Sequence, residues 1–326
     1  MYQTKITTLL GAIAIATAGT MAAAAEWRAW NIHGDGYPNT IAMDAFAELV
    51  AEKTGGEITV QVFHGGTLGS QPDAIEQVRL GALEVGNFNL GPIGPIAPAA
   101  NVVSLPFIFK DVDHMFRVLE GEGGKMIADG MAEQGLLPLA WYDAGARSFY
   151  NGTKPINTPA DVEGLKVRVM NNELFTGMID AMGGNASPMA FAEVYQALKT
   201  GVVDGAENNW PSYESTGHFE VAGFYSLSQH LIIPECVCVN ADVFAGLSPE
   251  MQAAVTEAAQ ESAEMQRQLW KEREAASRKA VEDAGVTVNE VADKAPFQDA
   301  MAPVYEAYLD ANPDLRPLVE LIQSTD

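Results

Sequence analysis

Positive charge is scarce in this chain. Its 326 residues carry 19 Lys and Arg against 43 Asp and Glu, a formal net charge of -24 at pH 7 and a pI near 4.4. Such a field repels polyanions, which excludes nucleic acid as a partner and disfavours an anionic membrane surface. Cysteine is nearly absent, with only Cys236 and Cys238. In a strand these two share a face at a spacing poorly matched to disulfide geometry. A C-x-C metal or redox pair has no second Cys or His cluster to complete it, so two small buried apolar groups are expected. After the N-terminus no window holds the roughly 20 uninterrupted apolar residues of a membrane span. Catalytic signatures are missing as well. There is no G-x-S-x-G, no G-x-x-x-x-G-K-[ST] and no H-E-x-x-H. Gly34-Asp35-Gly36 lacks the last glycine of a dinucleotide loop, and the five histidines never fall at ligand spacing. Nothing in the sequence argues for an enzyme, a metal or a cofactor.

What is present is an ordinary folded composition, 48% hydrophobic with Gly 30 and Pro 17, at a length that suits two α/β lobes. The first 25 residues read as an export signal: Lys5, an apolar stretch over 6–18, and Ala23-Ala24-Ala25 before Glu26. A mature chain starting at Glu26 is expected. From there short β-branched runs alternate with amphipathic helices. Strands are predicted at 27–32, 58–63, 85–89 and 136–142, and helices at 40–53 and 72–80, a rhythm that implies a largely parallel sheet. A second lobe begins near Arg147, with a helix start at Thr158-Pro159-Ala160-Asp161, a strand over 166–169 and a helix over 191–200. Strand 231–240, broken by Pro234, is expected to carry the chain back between lobes. Ser248 caps and Pro249 starts a helix that no further Gly or Pro interrupts until Gly285, roughly 54 Å and long enough to lie across both lobes. The expected division is 26–146 plus 234–273 for one lobe and 147–233 plus 274–326 for the other.

Because cations are few, their positions carry weight. Between Asp143 and Asn240 there are five: Arg147, Lys154, Lys166, Arg168 and Lys199. Arg168 lies at the C-terminal end of strand 166–169, followed at once by Asn171, Asn172 and Glu173, and ligands of open α/β sheets bind beyond such strand ends. A guanidinium there can take a carboxylate through two parallel hydrogen bonds. The stretch 204–210 adds Asn208, Asn209 and Trp210, read as a loop whose amides and indole suit the polar rim and apolar face of a sugar ring. Asn87 and Asn89 close strand 85–89 on one face, and His33 ends the first strand.

The runs Leu105-Pro106-Phe107, Gly164-Leu165-Lys166-Val167-Arg168-Val169, 189–198 (MAFAEVYQAL) and Val203-Asp204-Gly205-Ala206-Glu207-Asn208 resemble, in order and spacing, the DctP-type solute-binding proteins of tripartite ATP-independent periplasmic (TRAP) transporters. The match spans essentially the whole mature chain. It implies a periplasmic, two-lobed α/β binding protein of type II-like form, with a β-strand hinge and a long helix across both lobes. It also implies a monomer without cofactor that closes over an organic anion and docks on a sodium-coupled membrane permease. The family's carboxylate-binding arginine falls on Arg168, its neighbouring polar position on Asn171, the amide after the D-G pair on Asn208, a first-lobe polar contact on Asn89, and a second basic position on Arg147 or Lys154. His33, Asn87, Asn209 and Trp210 come from the chemistry alone. Many amides with one or two cations suit a polyhydroxylated monocarboxylate such as glucuronate or galacturonate, and 208–210 is similar to the loop of hexuronate-binding members. A C4-dicarboxylate or keto-acid carrier, or a secreted sugar-acid enzyme, are the alternatives.

Overall fold

The alternation of short strands and helices resolves into two mixed sheets in the computed structural model, which describes residues 24–326. The expected export signal lies outside the described residues apart from Ala24 and Ala25. In chain order the strands are β1 (Ala25–Asn31), β2 (Ile58–Phe63), β3 (Val85–Asn89), β4 (Leu136–Tyr142), β5 (Ala146–Asn151), β6 (Lys166–Val169), β7 (Asn185–Pro188), β8 (Gly205–Asn208), β9 (Phe224–Ile232), β10 (Glu235–Asn240) and β11 (Thr287–Glu290). One sheet has the order β2-β1-β3-β10-β4 and the other β11-β9-β5-β8-β6-β7. They build the two lobes.

The sheets are less parallel than the sequence rhythm implied. β1 runs parallel to β2 and β3, and β6 to β7 and β8, but β10 is antiparallel to β3 and β4, and β5 to β8 and β9. The reversed strands are those that follow the lobe crossings. Asp143–Gly145 links β4 to β5 and Ile233-Pro234 links β9 to β10. Each link carries the chain directly into the other sheet, so β5 and β10 start at the cleft, where β3 and β8 end. The expected helix at Thr158 is a single 3₁₀ turn, Pro159–Asp161. Its capping box forms, but it buries no residue and Gly164 follows in the left-handed region.

Cys236 and Cys238 depart from expectation too. Both are fully buried in β10, but their sulfurs are bonded. The pairing of β10 with β4 shifts register between Val237 and Cys238, and the two Cα atoms lie 5.4 Å apart. An undistorted strand would hold them about 6.6 Å apart, near the upper end of the disulfide range. The irregularity draws them together.

The long helix Pro249–Asp283 matches its expected length, and the Ser248 hydroxyl accepts from the Met251 N–H at its start. Val255, Ala258, Ala259 and Ala263 pack into the first lobe's core against helix Pro38–Lys53, while Val281 joins the second lobe's core. Between these patches the helix grips the crossing. Buried Gln266 donates to Asn39 Oδ1 and to the Asp143 carbonyl, both at 2.8 Å, and accepts from the Asp143 N–H at 2.8 Å. Gly145 has φ 60° there, and a Cβ on it would come within 2.9 Å of Glu274 and 3.0 Å of Trp270. Two acids lie at this junction, Asp143 buried and Glu274 half-buried. Burial pushes the Asp143 carboxyl up to about 6 against the opposing Gly145 N–H. Burial and then the Asp143 charge push Glu274 up to about 6.

These raised values have a definite sign. In the folded state Asp143 and Glu274 hold protons more tightly than in the unfolded chain, so their contribution is complete below about pH 4 and is lost as pH rises through about 6. Asp143→Asn keeps an acceptor for the Gly145 N–H and removes the charge. It is predicted to be more stable than wild type by roughly 3 kcal/mol at pH 7.5, with the advantage vanishing below pH 4. Thermal unfolding across pH 3.5 to 8 measures this, and a pH-independent difference between the two proteins would refute it.

Candidate functional site

The C-terminal ends of β1 and β3 face those of β6 and β8 across a cleft holding two joined cavities of about 170 and about 50 Å³. Ile32, Gln71, Arg168, Met170 and Phe191 border both, so each cavity has a wall from each lobe. A larger hollow of about 400 Å³ lies between helices Glu173–Ala181 and Ala302–Ala311, but its lining is apolar except for Glu173 and the Tyr308 phenol. The cleft gathers convergent polar groups from both lobes, the mark of a small-molecule site.

Arg168 is the centre of it. Alternation along β6 sends Val167 and Val169 into the core and leaves Lys166 exposed at the strand start. On the Lys166 face, Arg168 sits under the cleft with 3% of its surface exposed. Nε and Nη2 donate to the Met189 carbonyl at 3.1 and 2.8 Å, and the Phe191 ring lies 6.0 Å from the guanidinium carbon. No carboxylate among the described residues forms an ion pair with it, and none of their acceptors takes Nη1. Burial pulls its pKa down to about 10, with the Glu207 charge the largest opposing effect. A buried cation without a counterion is costly, and an anionic ligand is the group that would relieve it.

Arg147 is different. Its Nε meets Glu207 Oε2 at 2.6 Å and its Nη2 meets Glu207 Oε1 at 2.8 Å and the Glu207 carbonyl at 2.9 Å, while Nη1 donates to Asn208 Oδ1 at 2.8 Å. Burial works against its charge, but Glu207 more than offsets this and holds the pKa above the ordinary value. The pair is electrically closed. Arg147 therefore orients Asn208, whose Oδ1 also takes the Asn209 N–H at 2.9 Å, leaving its amide nitrogen for the cavity.

The remaining expected residues divide in two. Asn89, Asn171, His33 and Asn209 border the cleft. The Asn89 carbonyl accepts from Gln71 at 2.8 Å and its side chain takes the Gly91 N–H at 3.0 Å. His33 stacks on Tyr37 at 3.9 Å and its Nε2 lies 3.1 Å from Glu235 Oε1. Asn209 reaches the wall with its side chain already used, accepting from the Ser212 N–H and donating to the Ala144 carbonyl.

Lys154, Asn87 and Trp210 are not brought to the cleft. Lys154 is half exposed beside Asp161. Asn87 lies inside the sheet, bridging Asn39 and the Cys236 carbonyl. Trp210 stacks on Tyr225 at 3.7 Å in the second lobe's core. The expected loop at 208–210 is in fact the end of β8 followed by helix Trp210–Ser215, with Asn209 as its N-cap. Capping consumes one amide, and the helix turns the indole inward.

Several wall residues escaped the sequence. Gln71, at the first turn of helix Gln71–Arg79, lies one residue before the predicted helix start at 72, just past the glycines at 65, 66 and 69. Phe191 showed only helical periodicity. Glu235 was hidden among 43 acids, as was Glu207, which lies behind the wall paired with Arg147.

The chain and its fold have counterparts among known proteins. The family model "Bacterial extracellular solute-binding protein, family 7" (DctP) matches residues 31–311. A TRAP periplasmic solute-binding protein of Roseobacter denitrificans, crystallised with β-D-glucuronate, is 82% identical at a TM-score of 0.92, over 92% of this chain and 100% of that one. One from Sulfitobacter sp. NAS-14.1, with β-D-galacturonate, is 62% identical at a TM-score of 0.90, over 91% and 99%. A solute-binding protein of Chromohalobacter salexigens is 55% identical over 98% of this chain and 95% of its own length.

Proposed function

Because the chain belongs to the DctP family of TRAP-transporter solute-binding proteins, we propose that it captures a hexuronate, D-glucuronate or D-galacturonate, and delivers it to a TRAP membrane permease. The observation that carries this reading is Arg168, a buried guanidinium with no acidic partner among the described residues and one edge toward the cleft. The sugar carboxylate sits on that edge, with Asn171 beside it. Asn208, fixed by Arg147, and Asn89 offer hydrogen bonds to the ring hydroxyls. Phe191, rather than Trp210, provides the apolar surface for the ring face. The site lies between two lobes joined by two short links, so closure over the ligand ties affinity to the population of the closed form. Export by the N-terminal signal read from the sequence would bring it to the periplasm, the compartment of the family's binding proteins. The family is one of carriers.

A thermal-shift panel followed by calorimetry tests the reading. D-glucuronate and D-galacturonate are expected to raise the unfolding temperature, by about 2.7 kcal/mol of added stability at a hundredfold excess over Kd. Stabilisation by succinate or a keto acid with none by either hexuronate would overturn it.

A further inference from the structure

Glu235 is the one acid bordering the two joined cavities among the described residues, in a cleft whose ligand is an anion. It opens β10 immediately after the Ile233-Pro234 crossing, with its side chain 5% exposed. Asn39 donates to Oε2 at 2.7 Å, and His33 Nε2 lies 3.1 Å from Oε1. Both partners are themselves held. Asn39 Oδ1 takes a hydrogen bond from Gln266, and the His33 ring is stacked on Tyr37. No Lys or Arg among the described residues pairs with Glu235, and its two oxygens are held in place by Asn39 and His33.

Resting on the hexuronate reading above, we propose that Glu235 sets specificity, accepting hydroxyl hydrogens from the sugar end of the ligand and excluding any second carboxylate. An ionised carboxyl is acceptor-only, with about four lone-pair positions, and Asn39 and His33 leave some of them facing the cavity. A hydroxyl can fill them. A carboxylate cannot, since it brings no hydrogen and a like charge. The cations agree with this division. Glu207 cancels Arg147, so Arg168 alone is left to match a ligand, which makes the cleft a site for one negative charge. The ligand class is a polyhydroxylated monocarboxylate, and sugar diacids and C4-dicarboxylates are turned away by repulsion rather than by size.

D-glucarate is the sharp probe, because it carries a second carboxylate at the other end of the sugar chain. Titration calorimetry on the mature chain is expected to give wild type at least about 100-fold tighter for D-glucuronate than for D-glucarate. Glu235→Gln keeps the length and removes the charge, and this preference is expected to fall by about 10-fold or more, with glucarate and succinate gaining in absolute affinity. Glu235→Asp keeps the charge and withdraws it by one methylene. It should lose glucuronate affinity and still reject glucarate, which preserves the test should Glu235→Gln fail to fold. Hexuronate binding by wild type with an unchanged preference in Glu235→Gln, or glucarate binding by Glu235→Asp, overturns the proposal alone. Binding of neither hexuronate by wild type overturns the functional reading and the proposal together.

Discussion

Arg168→Ala is expected to weaken hexuronate binding by about two to four orders of magnitude and to leave the ligand-free protein at least as stable as wild type. A charge-assisted hydrogen bond is worth about 1.5 to 3 kcal/mol, and two of them to one carboxylate account for the loss. The stability half of the expectation comes from the unpaired state of the guanidinium. Its pKa, pulled to about 10 by burial, lies below the unfolded value of 12.5. A base shifted in that direction destabilises the fold at neutral pH, and the effect fades only as pH climbs past about 10. Removing the charge relieves this strain, at the cost of two hydrogen bonds to the Met189 carbonyl. Arg168→Lys should fall between, because an ammonium keeps the charge but cannot form the two-pronged pair. Calorimetry and ligand-free thermal unfolding of the same samples decide the matter. Wild-type affinity in Arg168→Ala would mean that the residue has only a structural job.

Arg147→Met has the opposite signature. Here the cation is matched, and its loss strands Glu207, which has no exposure and no other cation in hydrogen-bonding range among the described residues. His230 gives no relief. Its ring lies 3.8 Å from Glu207 Oε2, and burial holds its pKa well below the ordinary value, keeping it neutral. Breaking one side of a buried pair costs about 3 to 5 kcal/mol, whereas replacing both sides by apolar groups is often neutral. Arg147→Met is therefore predicted to lose about that much stability, and the double variant Arg147→Met/Glu207→Met to recover most of it. Both should bind hexuronate weakly, since Asn208 loses the donor that orients it. Denaturant unfolding reads the stabilities. A single variant within 1 kcal/mol of wild type would show that the buried carboxylate is solvated or protonated in the fold.

Most of the secondary structure was legible because its signals are local. The bounds of β2, β3, β4 and β6 matched, and the crossing helix was marked by a Ser-Pro-Glu start and an unbroken run to Gly285. Arg168 was equally visible, a rare cation at a strand's C-terminal end. The errors share another origin. Trp210 reads as a ligand group because amides and an indole side by side look like a sugar platform. Whether an amide caps a helix or faces a cavity depends on where the chain turns next, and the turn after Asn208 was misjudged. The disulfide was missed because the regular strand spacing was assumed, and a local shift of register is not written in the two cysteines themselves.

The scarcity of positive charge can now be placed. Sequence alone determined that recognition had to be local, since a net charge of -24 gives no long-range attraction to an anion and screening confines the field to about 8 to 10 Å at physiological salt. It also determined the strand and helix rhythm, the lobe-spanning helix and the arginine at the crevice. Only the tertiary structure decided which charges are free. Arg147 and Glu207 are 60 residues apart, and His33 and Glu235 are 202 apart, yet each pair meets within hydrogen-bonding distance. Counterions are chosen by distance in space, which chain order does not encode. The two arginines, alike in sequence, thereby become one closed ion pair and one open site.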